Sequence, residues 1–531
     1  MFSKVIGIFI SFALVSANLN RELLINRFYT QVYNTATQVI NENNWNVKNS
    51  KTQDYPYFNF FPQYTGINLR LNSSESYWET PCFYKNTGLI NQVGTKLNIE
   101  IISTEPKSNI EDCYDNYHFG TLNIMSNYQI MSNYQIASNQ ITSNIILEIP
   151  LDATDAENWD LSKNGVRVFR YLTDMKTTYS NLLTTLELFV PMFTQGVPDS
   201  VAKANIDFLA KYPKFNIVPR DPKLNIEIPE KEIHSGDAFL IMRLDGLNPM
   251  IAYGMGSTTG HTTVALWIEN ELYVVESDVT SSYWPTDGIQ KTPYKKWLQQ
   301  AREADYQVVH CPLNKETRKL FNETKAVDFF NSVQGTEYGY LNFLFGWLDV
   351  GKLNFPCLPP DYSSNCLQWE LFELLFAYVD RIDNYVGDLM WNGAINQRLG
   401  TYGLRTAELY KKANEQSYNS SVDVFNIVEN DNWIYNTTKY GIPAQGKSMV
   451  CCVFVCNIWK ASGIFGELTN DINCAEQTNW DDYVLTILDP YKQIIGTYSL
   501  YLNNYATKNM YYHQAEHCPT IPPNYEKPNN C

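Results

Sequence analysis

The chain has 531 residues, 44% of them hydrophobic, and a formal net charge of -16 at pH 7. Such apolar content excludes a disordered chain and is enough for more than one core. Forty Lys and Arg face 56 Asp and Glu with no basic cluster, which excludes nucleic acid as a partner.

Residues 1–17 combine Lys4, an apolar stretch from Val5 to Val15 and small residues at Ser16 and Ala17. That is the pattern of a secretory signal peptide. No later run of about 18 uncharged apolar residues follows, so no integral membrane span is expected. The expected location is the secretory pathway, either outside the cell or in a lysosomal or vacuolar lumen. Eleven cysteines in an exported chain imply disulfides, and the odd count leaves at least one thiol over. Candidate pairs are Cys357 with Cys366 across PCLPPDYSSNC, Cys82 with Cys113, and Cys474 with Cys518 or Cys531. Sequons at Asn72, Asn322, Asn419 and Asn436 suit a glycoprotein.

Residues 18–230 read as an N-terminal accessory region, strand-rich and then helical. TKLNIEIIST alternates as a strand does, and MSNYQI at 125–130 repeats at 131–136, which suits a duplication in a loop or edge strand. NGVRVFRYLTDMKTTYSNLLTTLELF and PDSVAKANIDFLAKYP carry helical apolar spacing. An extended linker, PKFNIVPRDPKLNIEIPEKEIHSGD, then leads into residues 231–349, the first part of a β-rich core. There GDAFLIMRL, HTTVALWI and ELYVVES read as strands, PYKKWLQQAREA as a helix opening on proline, and NKETRKLFNETKAVDFFNSVQG as one capped helix closing on Gly335. Residues 350–444 read as a helical insert and 500–531 as a tail. Between them, 445–499 holds the second part of the core, with GKSMVCCVFVCNIWKASG and the strand-like YVLTIL and IIGTYSLYL.

Two of these segments carry candidate chemistry. His261 opens a strand joined to ELYVVESDV by a short turn around Glu269 and Asn270, so position 261 pairs near 278 and 276 lies diagonally on the same face. An imidazole there meets Glu276 or Asp278, which is how a general base is oriented. The nucleophile is expected in VCCVFVC. A helix from about Val450 to Ala461, ended by Gly463, puts Cys451 and Cys452 in its first turn, where the positive helix end favours thiolate and free amides can stabilise an oxyanion. Cys456 lies one turn deeper and reads as core or disulfide. His513 and His517, with Cys518 beside them, have metal-compatible spacing, but in an oxidising compartment Cys518 is expected in a disulfide. No metal and no cofactor are called for.

The spacing from Cys451 to Phe454, Val455 and Gly463 resembles the nucleophile helix of NlpC-type papain-like cysteine hydrolases. Because the histidine precedes the cysteine, the resemblance is to their circularly permuted branch, the YiiX-like amidopeptidases. Gly236 and Asp237, His261, Glu276, Gly335 and Tyr338, and Cys451 follow that branch's order. The resemblance covers residues 231–347 and 445–499. It implies an α+β fold, a permuted papain-like core with an antiparallel sheet and a nucleophile helix, beside a mixed N-terminal region and the helical insert. It also implies a cysteine peptidase or amidase: Cys451 as nucleophile, His261 as base, Glu276 as orienter, with Cys452 and Asp278 as alternatives and Gly260 and Tyr338 lining the cleft. The expected partner is a peptide or amide substrate. Relatives that handle acyl lipids suggest an acyltransferase or thioesterase instead, under a channel roofed by LQWELFELLFAYV. An inactive, disulfide-stabilised surface or storage protein is the third reading.

Overall fold

The computed structural model describes residues 61–489 and Tyr505–Thr507, without 74, 108–112, 133–139, 172–174, 190, 192–193, 212–216, 220–227, 256–258, 282, 349–368, 426 and 486. The signal peptide, Cys357, Cys366, Cys518, Cys531, His513, His517 and the IIGTYSLYL segment lie outside the described residues. The protein is α+β with antiparallel sheets. It separates into two compact units: Arg27–Leu186 with Leu358–Val424, and Glu187–Cys357 with Phe425–Cys531.

The first unit is built from β1 (Gln63–Leu69), β2 (Ser76–Trp78), β3 (Phe83–Val93), β4 (Lys96–Pro106), β5 (Cys113–Gly120), β6 (Met125–Ser132), β7 (Gln140–Glu148) and β8 (Val166–Arg170). These form two four-stranded sheets, in the orders β1-β8-β5-β6 and β2-β3-β4-β7. Leu69, Phe83, Leu97, Ile99, Phe119, Ile145 and Val168 meet in one core, because alternate residues of each strand turn to the same side. The Cys82–Cys113 disulfide joins the starts of β3 and β5 across that core, one of the expected pairs. β6 carries the first MSNYQI copy and lies at a sheet edge; most of the second copy lies outside the described residues. VRVFR is a strand and not a helix start; helix α1 (Asp155–Asn164) precedes it and α2 (Met175–Leu188) follows. A five-residue apolar run satisfies either period, and pairing with β1 and β5 decides it. The insert's helices Trp369–Ile382 and Thr406–Glu415 belong to this unit. Several of their aromatics pack in the interior, as in the Phe376–Trp391 stack at 4.5 Å.

The second unit begins with α3 (Asp199–Lys211) and a short β9 (Ile217–Pro219) within the expected linker. Its sheet has the order β13-β12-β11-β10-β14, from β10 (Ala238–Met242), β11 (His261–Ile268), β12 (Glu271–Asp278), β13 (Gly288–Pro293) and β14 (Gln307–Cys311). Helix α4 (Leu247–Met255) connects β10 to β11. Helix α5 (Tyr294–Glu303) places Trp297, Leu298 and Ala301 against Phe239, Ala265 and Val274, with Pro293 as N-cap. The next segment divides into α6 (Lys315–Leu320) and α7 (Glu323–Val333), because Asn322 caps a second helix where one continuous helix was expected. Helix α8 (Tyr340–Leu348) and the hairpin β15 (Tyr435–Lys439) and β16 (Ile442–Gly446) lead to α9 (Cys451–Ser462). Helix α9 packs on β11, β12 and α7. YVLTIL starts in helix α10 (Asn479–Val484) where a strand was expected; the Thr478–Asp481 capping box sets its start. Cys474 bonds Cys456, not the tail cysteines, since the turn after α9 brings it back to that helix.

Among the described residues, the Cys82–Cys113 and Cys456–Cys474 disulfides fit an oxidising compartment. All four sequon asparagines are exposed. Among the described residues no helix is long and apolar enough to cross a membrane.

Candidate active site

The β11–β12 hairpin turns on Glu269 and Asn270, with φ of 51° and 64°. That two-residue turn fixes the register, Ile268 opposite Glu271 and Val264 opposite Val275. Position 261 is thereby carried beside 276 and 278. The His261 Nε2 lies 3.0 Å from Glu276 Oε2 and 4.0 Å from Asp278 Oδ2, and all three residues are buried. With Nε2 engaged by carboxylates, the ring's other nitrogen is left for a different partner.

Cys451, the first residue of α9, stands next to His261, and each shifts the other's proton affinity. The residues before the helix are held firmly: the Met449 carbonyl accepts from Ser277 Oγ at 2.8 Å and from the Gly339 amide at 3.1 Å. A Cβ at position 339 would fall 2.3 Å from the Met449 carbonyl carbon, so only glycine lets the Tyr338 segment lie this close. Val450, the N-cap, offers no side-chain hydrogen bond to the first turn. The Cys451 amide is directed at the Tyr338 hydroxyl, so the helix start presents a donor to an oxygen on the Tyr338 side.

Charge in the site is arranged around these contacts. The Cys452 thiol, hydrogen-bonded to Cys451, contributes most to holding Cys451 well below an ordinary thiol; burial opposes it, and His261 adds to it. Cys452 is driven the other way, by that same bond and by burial, so the proton stays on Cys452. Burial disfavours a charged His261, yet the Asp278 charge and the bonds to Cys451 and Glu276 outweigh it and raise the ring well above an ordinary histidine. Burial also raises Glu276, and pushes Asp278 up to about 7. The arrangement favours a thiolate–imidazolium pair with a shared proton on the carboxylates.

A cavity of about 30 Å³ opens at Cys451, lined among others by Gly260, Tyr338, Phe343, Val450 and Asn479. The expected site residues Cys451, Cys452, His261, Glu276, Asp278, Gly260 and Tyr338 therefore come together. Asn479 was missed. Its Nδ2 donates to Thr262 Oγ1 at 2.7 Å and lies 3.9 Å from Cys451 Sγ. The T-x-x-D capping pattern at Thr478 could have revealed its helix, though not its place beside the sulfur. His261, Glu276 and Asp278 also offer ligand atoms within 4.8 Å of one another, a spacing a metal ion can use. Comparison with known protein families, with curated proteins and with solved structures returned no match to this chain.

Proposed function

We propose that the protein is a secreted or lysosomal cysteine hydrolase of the permuted papain-like type, cleaving an amide bond through a thioacyl intermediate. One observation carries this reading: a thiol held low at a helix start stands beside a histidine whose Nε2 lies 3.0 Å from the buried Glu276 carboxylate and 4.0 Å from that of Asp278. The order of elements, with an antiparallel sheet before the cysteine helix, also supports the permuted branch.

In this mechanism Cys451 Sγ attacks the carbonyl carbon, forming a C–S bond and an oxyanion. The Cys451 backbone amide and the Asn479 side-chain amide stabilise that oxyanion. Collapse breaks the C–N bond, and His261 gives its proton to the departing amine. Water, deprotonated by His261, then hydrolyses the thioester and frees the thiol. Glu276 and Asp278 keep the imidazole oriented and charged.

The cavity at Cys451, about 30 Å³, holds roughly two water-sized volumes and suits a small side chain better than a long acyl chain. The peptidase or amidase reading is therefore favoured over the acyltransferase and thioesterase one. Both Cys451 and Cys452 are free thiols, which favours an enzyme over an inactive disulfide scaffold. The deciding experiment is turnover of a peptide-amide library by the purified chain, with and without iodoacetamide or EDTA. Loss with iodoacetamide, alkylation mapped to Cys451 and survival in EDTA are expected. Survival of alkylated protein together with loss in EDTA would transfer the chemistry to a metal held by His261, Glu276 and Asp278.

A further inference from the structure

The first unit contains a larger cavity, of about 330 Å³, built entirely from its own residues. That is the size of a small-ligand site. Its floor is an ion network. Arg167 donates to both oxygens of Asp160 at 3.0 and 2.9 Å and to Glu373 at 3.2 Å, and Glu373 also accepts from the Ser421 hydroxyl. The guanidinium is thus neutralised from within by two carboxylates. Glu370 and Lys163 complete the charged lining, so carboxylates outnumber cations by three to two. An anionic ligand would find no uncommitted guanidinium here.

The walls have two further characters. Tyr64, Trp159, Trp369, Tyr410 and Tyr418 line the cavity, and each keeps part of its surface exposed. Flat rings of this kind take up the apolar face of a flat ligand. Between them stand the amides of Asn68, Asn164 and Asn414 and the hydroxyl of Ser420. Each amide already has one bond within the protein, Asn68 from the Tyr64 hydroxyl, Asn164 to Asp160 and Asn414 from Lys163, and keeps further donors or acceptors that a lipid tail could not use. Carboxylates that can accept a second bond and amides that both donate and accept match adjacent hydroxyl groups.

We propose that this cavity is a binding site for a neutral saccharide, whose ring lies against the aromatic walls and whose hydroxyls bond the carboxylates and amides. The site is independent of Cys451 and of the hydrolase reading. The exposed Asn419 sequon lies at its lining, so a glycan on a neighbouring chain is one physical source and a free sugar another.

The test uses full-length Cys451→Ala protein, so that a failed hydrolase assignment leaves this result unaffected. Calorimetric titrations with N-acetylglucosamine, mannose, galactose and their disaccharides are run beside phosphate, spermidine and decanoate. Binding of at least one sugar is expected, weakened about tenfold or more by Trp369→Ala and by Tyr418→Ala. Asn72→Gln, which removes a sequon that does not line the cavity, should leave binding of a free sugar unchanged. A thermal melt of each variant separates lost binding from lost folding, and the two aromatic variants act on different segments. No heat from any sugar with folded protein, binding of spermidine or phosphate alone, or sugar binding untouched by both aromatic substitutions would overturn the proposal.

Discussion

One sheet of the second unit carries two buried histidine–carboxylate pairs, and they are opposites. On β14, His310 Nε2 lies 3.1 Å from Asp237 Oδ2. The same aspartate accepts from the Arg318 guanidinium at 2.7 Å and from the amides of Leu313 and His234 at 3.0 Å. Burial would raise Asp237, but His310, Arg318 and those amides hold it below its usual range. On β11 and β12, Glu276 and Asp278 share one imidazole, and both are raised. Glu276 Oε1 and Asp278 Oδ2 lack a hydrogen-bond partner. The nearby thiols differ as well: burial keeps Cys311 protonated, whereas Cys451 is lowered. A carboxylate with both oxygens bonded, as in Asp237, ties chain segments together; carboxylates with an open oxygen, as in Glu276 and Asp278, keep charge next to a thiol.

The largest separation of the two pairs should come from their thiols. Cys451→Ala should reduce hydrolysis by about 10⁴-fold or more, whereas Cys311→Ala leaves kcat within about twofold. Equal loss in both variants, read from single-turnover rates, would erase the distinction. His261→Ala should follow Cys451→Ala, and the double variant should add little beyond either single change.

Stability should divide them the other way. Asp237→Ala leaves Arg318 without its carboxylate and should cost about 3 kcal/mol, lowering Tm by about 6–12 °C. Asp278→Asn removes one of two like charges and should hold or raise Tm, while slowing turnover. Calorimetry that finds the Asp278 variant the less stable of the two would reverse this assignment.

The pH response has a sign for each. Asp278 is raised from 3.8 to about 7 in the folded protein, so its contribution to stability is present at low pH and is lost as pH rises through about 7. His261, also raised, acts in the same direction: its contribution is fully present below the ordinary histidine value and lost as pH rises through its folded value. Asp237 is lowered, so its contribution is present above the ordinary aspartate range and disappears on acidification through its folded value. Between pH 5 and 7 denaturant midpoints should therefore fall with pH more steeply in the native chain than in Asp278→Asn; above that range the lowered Cys451 acts in the opposite direction. The smallest effect is expected from Cys452→Ala, which removes the main bond holding Cys451 low. The pH profile of Cys451 alkylation should move upward, slowing labelling about tenfold at mildly acidic pH. An unmoved profile would deny Cys452 that role.

Local chemistry made half of the site legible. A two-residue turn with both φ positive ties His261 to 276 and 278, and the start of an apolar helix separates Cys451 and Cys452 from Cys456. Where the reading failed, a local signal was ambiguous or a distant contact decided. VRVFR fits a strand or a helix until β1 and β5 pair with it. Asn322 was visible as a cap, yet the run around it kept one period, and two helices were read as one. Asn479 reaches the sulfur only because α10 returns to β11.

By itself the sequence determined the hairpin register and the helix that opens on Cys451, since each rests on period or turn residues within a few dozen positions, and it offered Cys82–Cys113 as a candidate pair that the fold then closed. Tertiary structure alone decided that Cys456 bonds Cys474, that the aromatic insert belongs with the N-terminal sheets, and that His261 meets Cys451 across 190 residues. It also decided which buried acid is lowered and which is raised. Desolvation and neighbouring charge are properties of the folded surroundings, and no stretch of chain encodes them alone.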